Sequence, residues 1–151
     1  MSSTYSISVF FPAYNDAPSI GKLVAGAFEL LPGLTDDFEV IVINDGSRDG
    51  TAVVLAALER QYGPRLRVVT HPENFGYGRA LRSGFEAAAK DLVFYTDGDG
   101  QYDVNELPAL LERIRSDVGL VNGFKLQRND PKHRIWIGNT YNAFARFLFR
   151  V

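Results

Sequence analysis

The sequence predicts an α/β fold in which helices cover both faces of a mainly parallel sheet. Apolar runs rich in β-branched residues alternate with segments of helical periodicity four times along the chain. One of these runs, FEVIVI, is apolar at nearly every position, which is typical of a strand covered on both faces. The dense polar and glycine-rich clusters follow the apolar runs, as expected for ligand-binding loops at the carboxyl edge of a parallel sheet.

Each element is predicted from its own pattern. Strands are expected at five apolar runs, which cover residues 7–11, 38–43, 66–69, 92–95 and 118–121. Pro12 stops the first of these runs and is expected to end that strand. Helices are expected where apolar residues recur at helical spacing, over residues 18–31, 49–62, 78–90 and 105–115. The last helix carries Pro108 in its first turn, where proline is tolerated.

Composition restricts the class of protein. The 151 residues are 46% hydrophobic and 23% charged, which is enough for a buried core and excludes intrinsic disorder. The absence of cysteine excludes a disulfide scaffold, a thiolate zinc site and a cysteine nucleophile. With two histidines, any bound metal would need carboxylate ligands. Neither a signal peptide nor a run of about 18 uncharged apolar residues occurs, so a cytoplasmic location is expected.

Charge is unevenly distributed behind a net value of −2. From Leu120 onwards there are six basic residues and one acidic residue, whereas acidic residues dominate the first 119 positions. This asymmetry suggests an acidic part that could hold a cation and a basic part that could meet phosphates or a membrane surface. A solvated basic surface without a partner would give the same pattern.

The loop after the fourth predicted strand, DGDGQYD, is the candidate metal site. Asp97 and Asp99 alternate with glycines directly after this strand, so two carboxylates are expected to lie close together at the edge of the sheet. Like charges at close range favour a bound cation, and hard oxygen ligands select Mg²⁺ or Mn²⁺. Gln101 could add a neutral oxygen. The structural alternative is an acidic turn in which Asp103 caps the next helix.

Two other loops carry side chains that could bind a nucleoside. Asp45, in NDGSRDGT, leaves the end of a buried strand and could accept hydrogen bonds from a base or ribose, whereas Asp49 and Thr51 would begin the next helix. In PAYND, Tyr14 could stack on a base and Asp16 could accept from it. Ordinary turn chemistry would also account for both loops. HPENFGYGRA could bind phosphate, but close packing of a helix on a strand is its default interpretation.

Four segments together resemble glycosyltransferase family 2: FFPAYNDAPSI, VIVINDGSRDGT, NFGYGRALRSGF and YTDGDGQYD. The resemblance implies a GT-A fold, which is a Rossmann-like α/β/α arrangement, and an inverting transferase that uses a nucleotide-sugar. A later segment, NGFKLQRNDPKHRIWIGNTYN, resembles the branch of dolichyl-phosphate mannose synthase-like enzymes, whose acceptor is a polyprenyl phosphate. The motifs span about positions 7 to 142, nearly the whole chain.

Carried over residue by residue, the resemblance implies a set of nucleoside contacts: Pro12, Tyr14, Asp16, Ile43 and Asp45. Asp16 stands where the family more often has glutamate, which shortens the reach of the carboxylate but keeps its ability to accept hydrogen bonds.

The resemblance also implies contacts with the donor diphosphate and its metal. Asp97 and Asp99 would bracket the metal-bound diphosphate, Gln101 would complete the metal shell, and Gly98 would lie against the nucleotide. Lys125 would place a cation on the same diphosphate.

The basic C-terminal part carries the acceptor prediction. Arg128 and Arg134 are the candidates for binding the acceptor phosphate. Residues 135–151 have the spacing of an amphipathic helix, which suits either a membrane interface or the core beneath a further part of the domain. Family members continue beyond this length, so residues 1–151 are expected to be the N-terminal portion of one glycosyltransferase domain, with its C-terminal part missing.

The predicted function is metal-dependent transfer of a sugar from a UDP- or GDP-sugar to a polyprenyl or dolichyl phosphate, with inversion. The predicted partners are the nucleotide-sugar, the lipid phosphate and a membrane surface, without nucleic acid, at the cytoplasmic face of the membrane. One alternative is a soluble family 2 enzyme that acts on a saccharide hydroxyl and needs a carboxylate base. The other is an inactive nucleotide-binding module.

Overall fold

The computed structural model describes residues 5–98 and 103–123, and its strands form one four-stranded parallel sheet. They are β1 (Ile7–Ala13), β2 (Phe38–Asn44), β3 (Leu66–Thr70) and β4 (Leu92–Tyr95), in the spatial order β3-β2-β1-β4. All three strand pairings are parallel. The chain therefore builds outwards from β1 to β3 and then crosses to the other side of β1. In open sheets of this kind, ligands bind at the carboxyl ends of the strands beside this switch point.

Helices of the described part connect and cover the strands. They are α1 (Ile20–Leu30), α2 (Thr51–Tyr62), α3 (Tyr77–Ala87) and the short α4 (Leu107–Leu111), with 3₁₀ turns at Leu31–Gly33, Gly63–Arg65 and Val104–Glu106. Within the described residues, none of these helices combines the length and the apolar character that crossing a bilayer requires.

The side chains of the two central strands alternate between two cores. Val9 and Phe11 of β1 face α1 and α2, whereas Phe10 packs with Ile41 and Ile43 against α3. All five side chains are completely buried. Each contributes roughly 1.5–3 kcal/mol relative to an exposed position, so the near-continuous apolar sequence of β1 and β2 is what holds helices on both faces.

The structure confirms the predicted α/β architecture, its first four strands and its first three helices, with boundaries shifted by a few residues. The fourth predicted helix is shorter than expected. It begins with the 3₁₀ turn and remains α-helical only to Leu111, after which the N–H groups of Arg113 and Ile114 bond three residues back, to the carbonyls of Leu110 and Leu111. The helix therefore tightens into 3₁₀ geometry at its end.

Pro12 does not end the first strand, which corrects the prediction. β1 continues to Ala13, and Pro12 is paired with Ile43 of β2. The Pro12 carbonyl points to the β4 side and accepts from the N–H of Gly98 at 3.1 Å. Any other residue at this position would carry an N–H on the same side, but β4 has already ended at Tyr95 and does not extend to it. The absence of this N–H therefore removes no bond between the strands.

The fifth predicted strand is also wrong. Residues 118–121 belong to no strand in the described part of the chain, and Leu120 is 82% exposed. A short apolar run becomes a strand only where a neighbouring edge accepts its N–H and C=O groups. Residues 118–121 pair with none of the four strands of the described sheet.

We predict that Gly84→Ala destabilises the fold, because a Cβ at this position of α3 would lie 2.3 Å from the ring of the fully buried Phe10. We expect a loss of about 1–3 kcal/mol in the free energy of unfolding, measured by urea denaturation. Gly78→Ala, in the same helix, is the matched control. Its Cβ would meet nothing within 4 Å, and alanine favours a helix by up to about 1 kcal/mol. Equal stability of the two variants would contradict the packing argument.

Candidate functional site

A cavity of about 430 Å³ lies at the carboxyl edge of the sheet, walled by the loops after the four strands and the first turns of α3. Six residues that the sequence singled out line it: Pro12, Tyr14, Asp16, Asp45, Asp97 and Gly98. Five others that it did not single out complete the wall: Ala13, Asn74, Gly76, Tyr77 and Ala80. Ile43 is not part of this wall, because it is completely buried in the core beneath α3.

The loop after β1 is held against the loop after β2 by hydrogen bonds in both directions. The Asn15 N–H donates to Ser47 Oγ at 3.0 Å, and the Arg48 N–H donates to Asn15 Oδ1 at 2.9 Å. Asn15 has a φ of 58°, a left-handed conformation that asparagine tolerates better than most residues. These contacts place Tyr14 and Asp16, on either side of Asn15, at the cavity.

Asp49 and Thr51 have the structural role that the sequence predicted. Asp49 Oδ1 accepts from the backbone N–H of Thr51 at 2.9 Å and from its hydroxyl at 2.5 Å. These hydrogen bonds lower the pKa of the Asp49 carboxyl, and they satisfy an N–H that the start of α2 leaves without a helical partner. Asp103 acts similarly, because its Oδ1 accepts from the N–H of Asn105 at 2.9 Å and caps the 3₁₀ turn.

Asp45 is buried and is hydrogen-bonded on both carboxylate oxygens. Its Oδ1 contacts His71 Nδ1 at 2.7 Å and accepts from the N–H of Phe75 at 3.0 Å, and its Oδ2 accepts from the N–H of Gly76 at 2.9 Å. Burial raises the pKa of this carboxyl, but the bonds from His71 and the two backbone groups outweigh burial, so the pKa lies below its ordinary value. Asp45 therefore stays ionised and anchors the loop after β3.

Gly46 allows this anchor to form. Its φ is 65°, and a Cβ would lie 2.3 Å from the backbone carbonyl carbon of Glu73. No side chain fits between the loops after β2 and β3, so only glycine permits both the turn and the contact.

The loop after β4 is held equally closely. The Gly98 carbonyl accepts from Ser19 Oγ at 2.8 Å, and a Cβ on Gly98 would lie 2.6 Å from the Pro12 oxygen. Asp97, the preceding residue, accepts at Oδ1 from the Tyr77 hydroxyl at 2.7 Å. The loops after β1 and β4 and the start of α3 thus meet around the Asp97 carboxylate.

The described residues supply part of the predicted metal site. Asp97 offers a hard oxygen ligand at the cavity, which suits Mg²⁺ or Mn²⁺. No group of three or more histidine, cysteine or acidic side chains within residues 5–98 and 103–123 could hold a metal ion by itself. The other predicted ligands, Asp99 and Gln101, lie outside the described residues, as do Lys125, Arg128, Arg134 and residues 135–151.

His71, Ser83 and Tyr77 were not identified from the sequence as site residues. A signal for His71 was available, since it directly follows β3 at the edge where the other loops carry polar side chains. Ser83 and Tyr77 lie on α3, and their contacts depend on how that helix packs, which no local pattern indicates.

We predict that Asp45→Asn destabilises the fold most at neutral pH. An amide cannot accept at both ends, so the variant should lose about 1–3 kcal/mol of unfolding free energy there. The folded-state pKa of Asp45 lies below the ordinary value of 3.8, so its ionised form stabilises the fold above that pH, and this contribution disappears as the pH falls through the folded pKa. Urea unfolding at several pH values should therefore show the difference from wild type shrinking in acid.

The control for this experiment is Asp36→Asn, which changes an exposed carboxylate. Its free energy of unfolding should stay close to that of the wild type at every pH. A difference between wild type and Asp45→Asn that does not vary with pH would contradict the assignment.

With this geometry in place, a comparison with protein families finds that the model of "Glycosyl transferase family 2" matches residues 8–150. The match covers all four strands except the first residue of β1.

Curated relatives carry one recurrent name. An undecaprenyl-phosphate 4-deoxy-4-formamido-L-arabinose transferase of Pseudomonas aeruginosa is 32% identical over 136 residues, which cover 90% of this chain and 40% of the relative. The protein of the same name from Aeromonas hydrophila is 32% identical over 128 residues, covering 85% and 39%. This chain therefore spans about 40% of the length of these relatives.

Solved structures share the fold. A mannosyltransferase of Pyrobaculum calidifontis in complex with GDP-Man and Mn²⁺ superposes with a TM-score of 0.61 and 27% identity, covering 71% of this chain and 31% of that one. Glucosyl-3-phosphoglycerate synthase of Mycobacterium tuberculosis, in complex with Mn²⁺ and UDP-glucose, gives a TM-score of 0.60 and 27% identity over 78% of this chain and 42% of that one.

Proposed function

Because this chain belongs to glycosyl transferase family 2, we propose that it is the nucleotide-sugar-binding part of an enzyme that transfers a sugar to a polyprenyl phosphate with inversion. One observation supports this proposal above the others. The carboxylates of Asp16, Asp45 and Asp97 lie around one cavity at the carboxyl edge of a parallel sheet, beside the switch between β1 and β4.

The nucleoside would bind on the side of the cavity formed by the loops after β1 and β2. Tyr14 is 43% exposed there and offers a ring on which a base could stack. The ionised Asp45 can only accept hydrogen bonds, which suits the N–H groups of a base or the hydroxyls of a ribose. The similar structures hold GDP-Man or UDP-glucose, so both bases are candidates for the donor of this chain.

The diphosphate would lie towards Asp97, with Mg²⁺ or Mn²⁺ held between Asp97 and Asp99 and with Gln101 as a further ligand. When bound, the cation would neutralise charge on the departing nucleoside diphosphate. The Tyr77 hydroxyl already occupies Oδ1 of Asp97, which leaves Oδ2 better placed for a cation. Gly98 keeps the wall free of side-chain atoms beside the nucleotide, and Lys125 would add positive charge to the same diphosphate.

The acceptor would be an anionic lipid phosphate, as the names of the curated relatives indicate for those proteins. Its oxygen carries charge at neutral pH, so it needs no strong general base. Arg128 and Arg134 would aim this oxygen at the anomeric carbon. As the new bond forms, the bond to the nucleoside diphosphate breaks on the opposite face, which inverts the configuration.

A membrane surface as partner, and its cytoplasmic face as the location, remain predictions.

A soluble acceptor is the alternative within the same family. One similar structure is the Mycobacterium tuberculosis glucosyl-3-phosphoglycerate synthase in complex with phosphoglyceric acid. An assay that offers a polyprenyl phosphate in detergent and a soluble phosphate ester side by side separates these acceptors. Glycosylation of the soluble ester alone would reject the lipid acceptor.

We predict that nucleotide-sugars stabilise the chain only with a divalent cation, and that Asp97→Asn removes this stabilisation. A ligand at about 100 times its Kd adds roughly 2.7 kcal/mol to the free energy of unfolding, which a thermal-shift assay detects. UDP- and GDP-sugars should be compared with Mn²⁺, Mg²⁺ and EDTA. Asp91→Asn is the control, since Asp91 bonds to Ser6 next to the amino end of β1. Full stabilisation of Asp97→Asn by donor and Mn²⁺ would remove this carboxylate from the proposed site.

We predict that replacing Arg128 and Arg134 together with glutamine raises the KM for the lipid phosphate by at least about tenfold, while donor affinity stays unchanged. Each arginine can grip a phosphate with two parallel N–H groups, and glutamine lacks both the charge and this fork. Steady-state kinetics with the acceptor varied at saturating donor measure the effect. Replacing both arginines with lysine keeps the positive charge but removes the paired N–H groups. Full recovery with lysine would reduce the role of these residues to general attraction to an anionic surface.

A further inference from the structure

Three side chains, those of Ser83, His71 and Asp45, form a continuous chain of hydrogen bonds. Ser83 Oγ lies 2.9 Å from His71 Nε2, and His71 Nδ1 lies 2.7 Å from Asp45 Oδ1. His71 is only 9% exposed and Asp45 only 3%. The chain therefore runs from α3, through the residue after β3, to the residue after β2, and it ends at the cavity wall.

The chemistry of the three groups sets the direction of the hydrogen bonds. An ionised carboxylate only accepts, so His71 must carry a proton on Nδ1 and donate it to Asp45. In neutral histidine, Nε2 is then the acceptor, and the Ser83 hydroxyl is the donor that satisfies it. Asp45 thus sets the tautomer of His71, and Ser83 satisfies the Nε2 atom of that tautomer. The order of groups resembles that of a serine hydrolase, but Ser83 does not line the cavity and is not placed to attack a substrate.

The imidazole leaves Asp45 with little spare acceptor capacity. A carboxylate has about four lone-pair positions, and Oδ1 uses two of them for His71 and the N–H of Phe75. Oδ2 uses one for the N–H of Gly76, so the remaining position is on Oδ2. His71 and the loop together therefore fix the plane of the carboxylate and determine which oxygen can accept from a ligand.

The backbone is anchored here without the imidazole. The His71 N–H donates to the carbonyl of Asn44 at 2.9 Å, which continues the pairing of β3 with β2. The loop that follows is held by the N–H groups of Phe75 and Gly76 and by the close contact with Gly46. The side chain of His71 is thus not needed to hold the backbone of this loop, and its hydrogen bond acts on the Asp45 carboxylate.

We propose that His71 is a positioning residue for nucleoside binding: held at Nε2 by Ser83, it orients the Asp45 carboxylate so that Oδ2 accepts a hydrogen bond from the nucleoside. This inference rests on the proposed function, because it takes Asp45 to contact the nucleoside of the donor. It assigns His71 and Ser83 a role through Asp45, without contact with the ligand.

The test measures nucleoside affinity separately from stability. The probes are UMP and GMP without a divalent cation. These monophosphates lack the diphosphate for which the cation is required, so they report on the nucleoside pocket alone. Titration calorimetry gives the Kd, and a thermal melt gives the Tm. His71→Leu, which removes both imidazole bonds, should weaken binding of the preferred nucleotide by about tenfold or more. His71→Asn keeps an N–H donor for Asp45 and should recover part of the affinity. Ser83→Ala, which removes the bond that holds the imidazole at Nε2, should weaken binding a few-fold.

A double-mutant comparison shows whether His71 acts through Asp45. After Asp45→Ala, the further change His71→Leu should reduce affinity little, because the carboxylate it orients is gone. Ser8→Ala is the matched control. Ser8 is a completely buried serine near the amino end of β1, with hydrogen bonds to Glu39, Ala89 and Lys90. Its loss should lower the Tm and leave the Kd unchanged.

The outcomes separate this inference from the proposed function. A wild-type chain that binds no nucleotide or nucleotide-sugar, with or without a metal, overturns both. A wild-type chain that binds, together with a His71→Leu variant of lower Tm but unchanged Kd, overturns only the positioning role. Should His71→Leu fail to fold, Ser83→Ala and His71→Asn decide: unchanged affinity in both overturns the inference, and graded loss in the expected order supports it.

Discussion

In a parallel sheet the carboxyl ends of all strands lie at the same edge, and the other features of the site depend on that constraint. β4 lies beside β1 although β2 and β3 come between them in the sequence, so the loops after β1 and β4 become neighbours at the switch point. The register shows how closely they meet. The last pair of β1 and β4 is Phe10 with Tyr95, and two residues further along β1 the Gly98 N–H still bonds to the Pro12 carbonyl. A longer β4 would need the N–H that proline lacks.

The convergence of loops brings carboxylates together, and the protein satisfies each of them with N–H or O–H donors. Asp45 uses His71 and two backbone groups, Asp16 accepts from the N–H of Tyr14, and Asp97 accepts from the Tyr77 hydroxyl. Most of these donors are uncharged, so they orient the carboxylates without adding positive charge beside them. The site thus remains suited to ligands that bring hydrogen-bond donors or a cation, as the proposed nucleotide-sugar and its metal would.

Close approach of backbones limits which residues these loops can carry. Gly46 faces the backbone of Glu73, and Gly98 faces the Pro12 carbonyl and the Asp16 carboxylate. At both positions a Cβ would lie less than 3 Å from a backbone atom. Glycine here is a packing requirement between loops that are distant in sequence, although in the sequence each glycine is indistinguishable from ordinary turn material. The same limit makes the cavity wall at Gly98 free of side-chain atoms.

The sequence by itself determined the fold class, the first four strands and the edge at which the site lies. Periodicity and β-branched runs are local properties, and the crossover rule converts their order into a parallel sheet. It also indicated Tyr14, Asp16, Asp45 and Asp97, because polar residues that follow buried strands must gather at that edge, whereas Gly98 was implied by the family resemblance. Tertiary structure decided what local patterns do not contain. Pro12 stays inside β1 because β4 ends before it, and residues 118–121 pair with none of the described strands. His71 and Ser83 meet Asp45 only through the packing of α3, since hydrogen bonds between residues 12 and 26 positions apart depend on three-dimensional proximity.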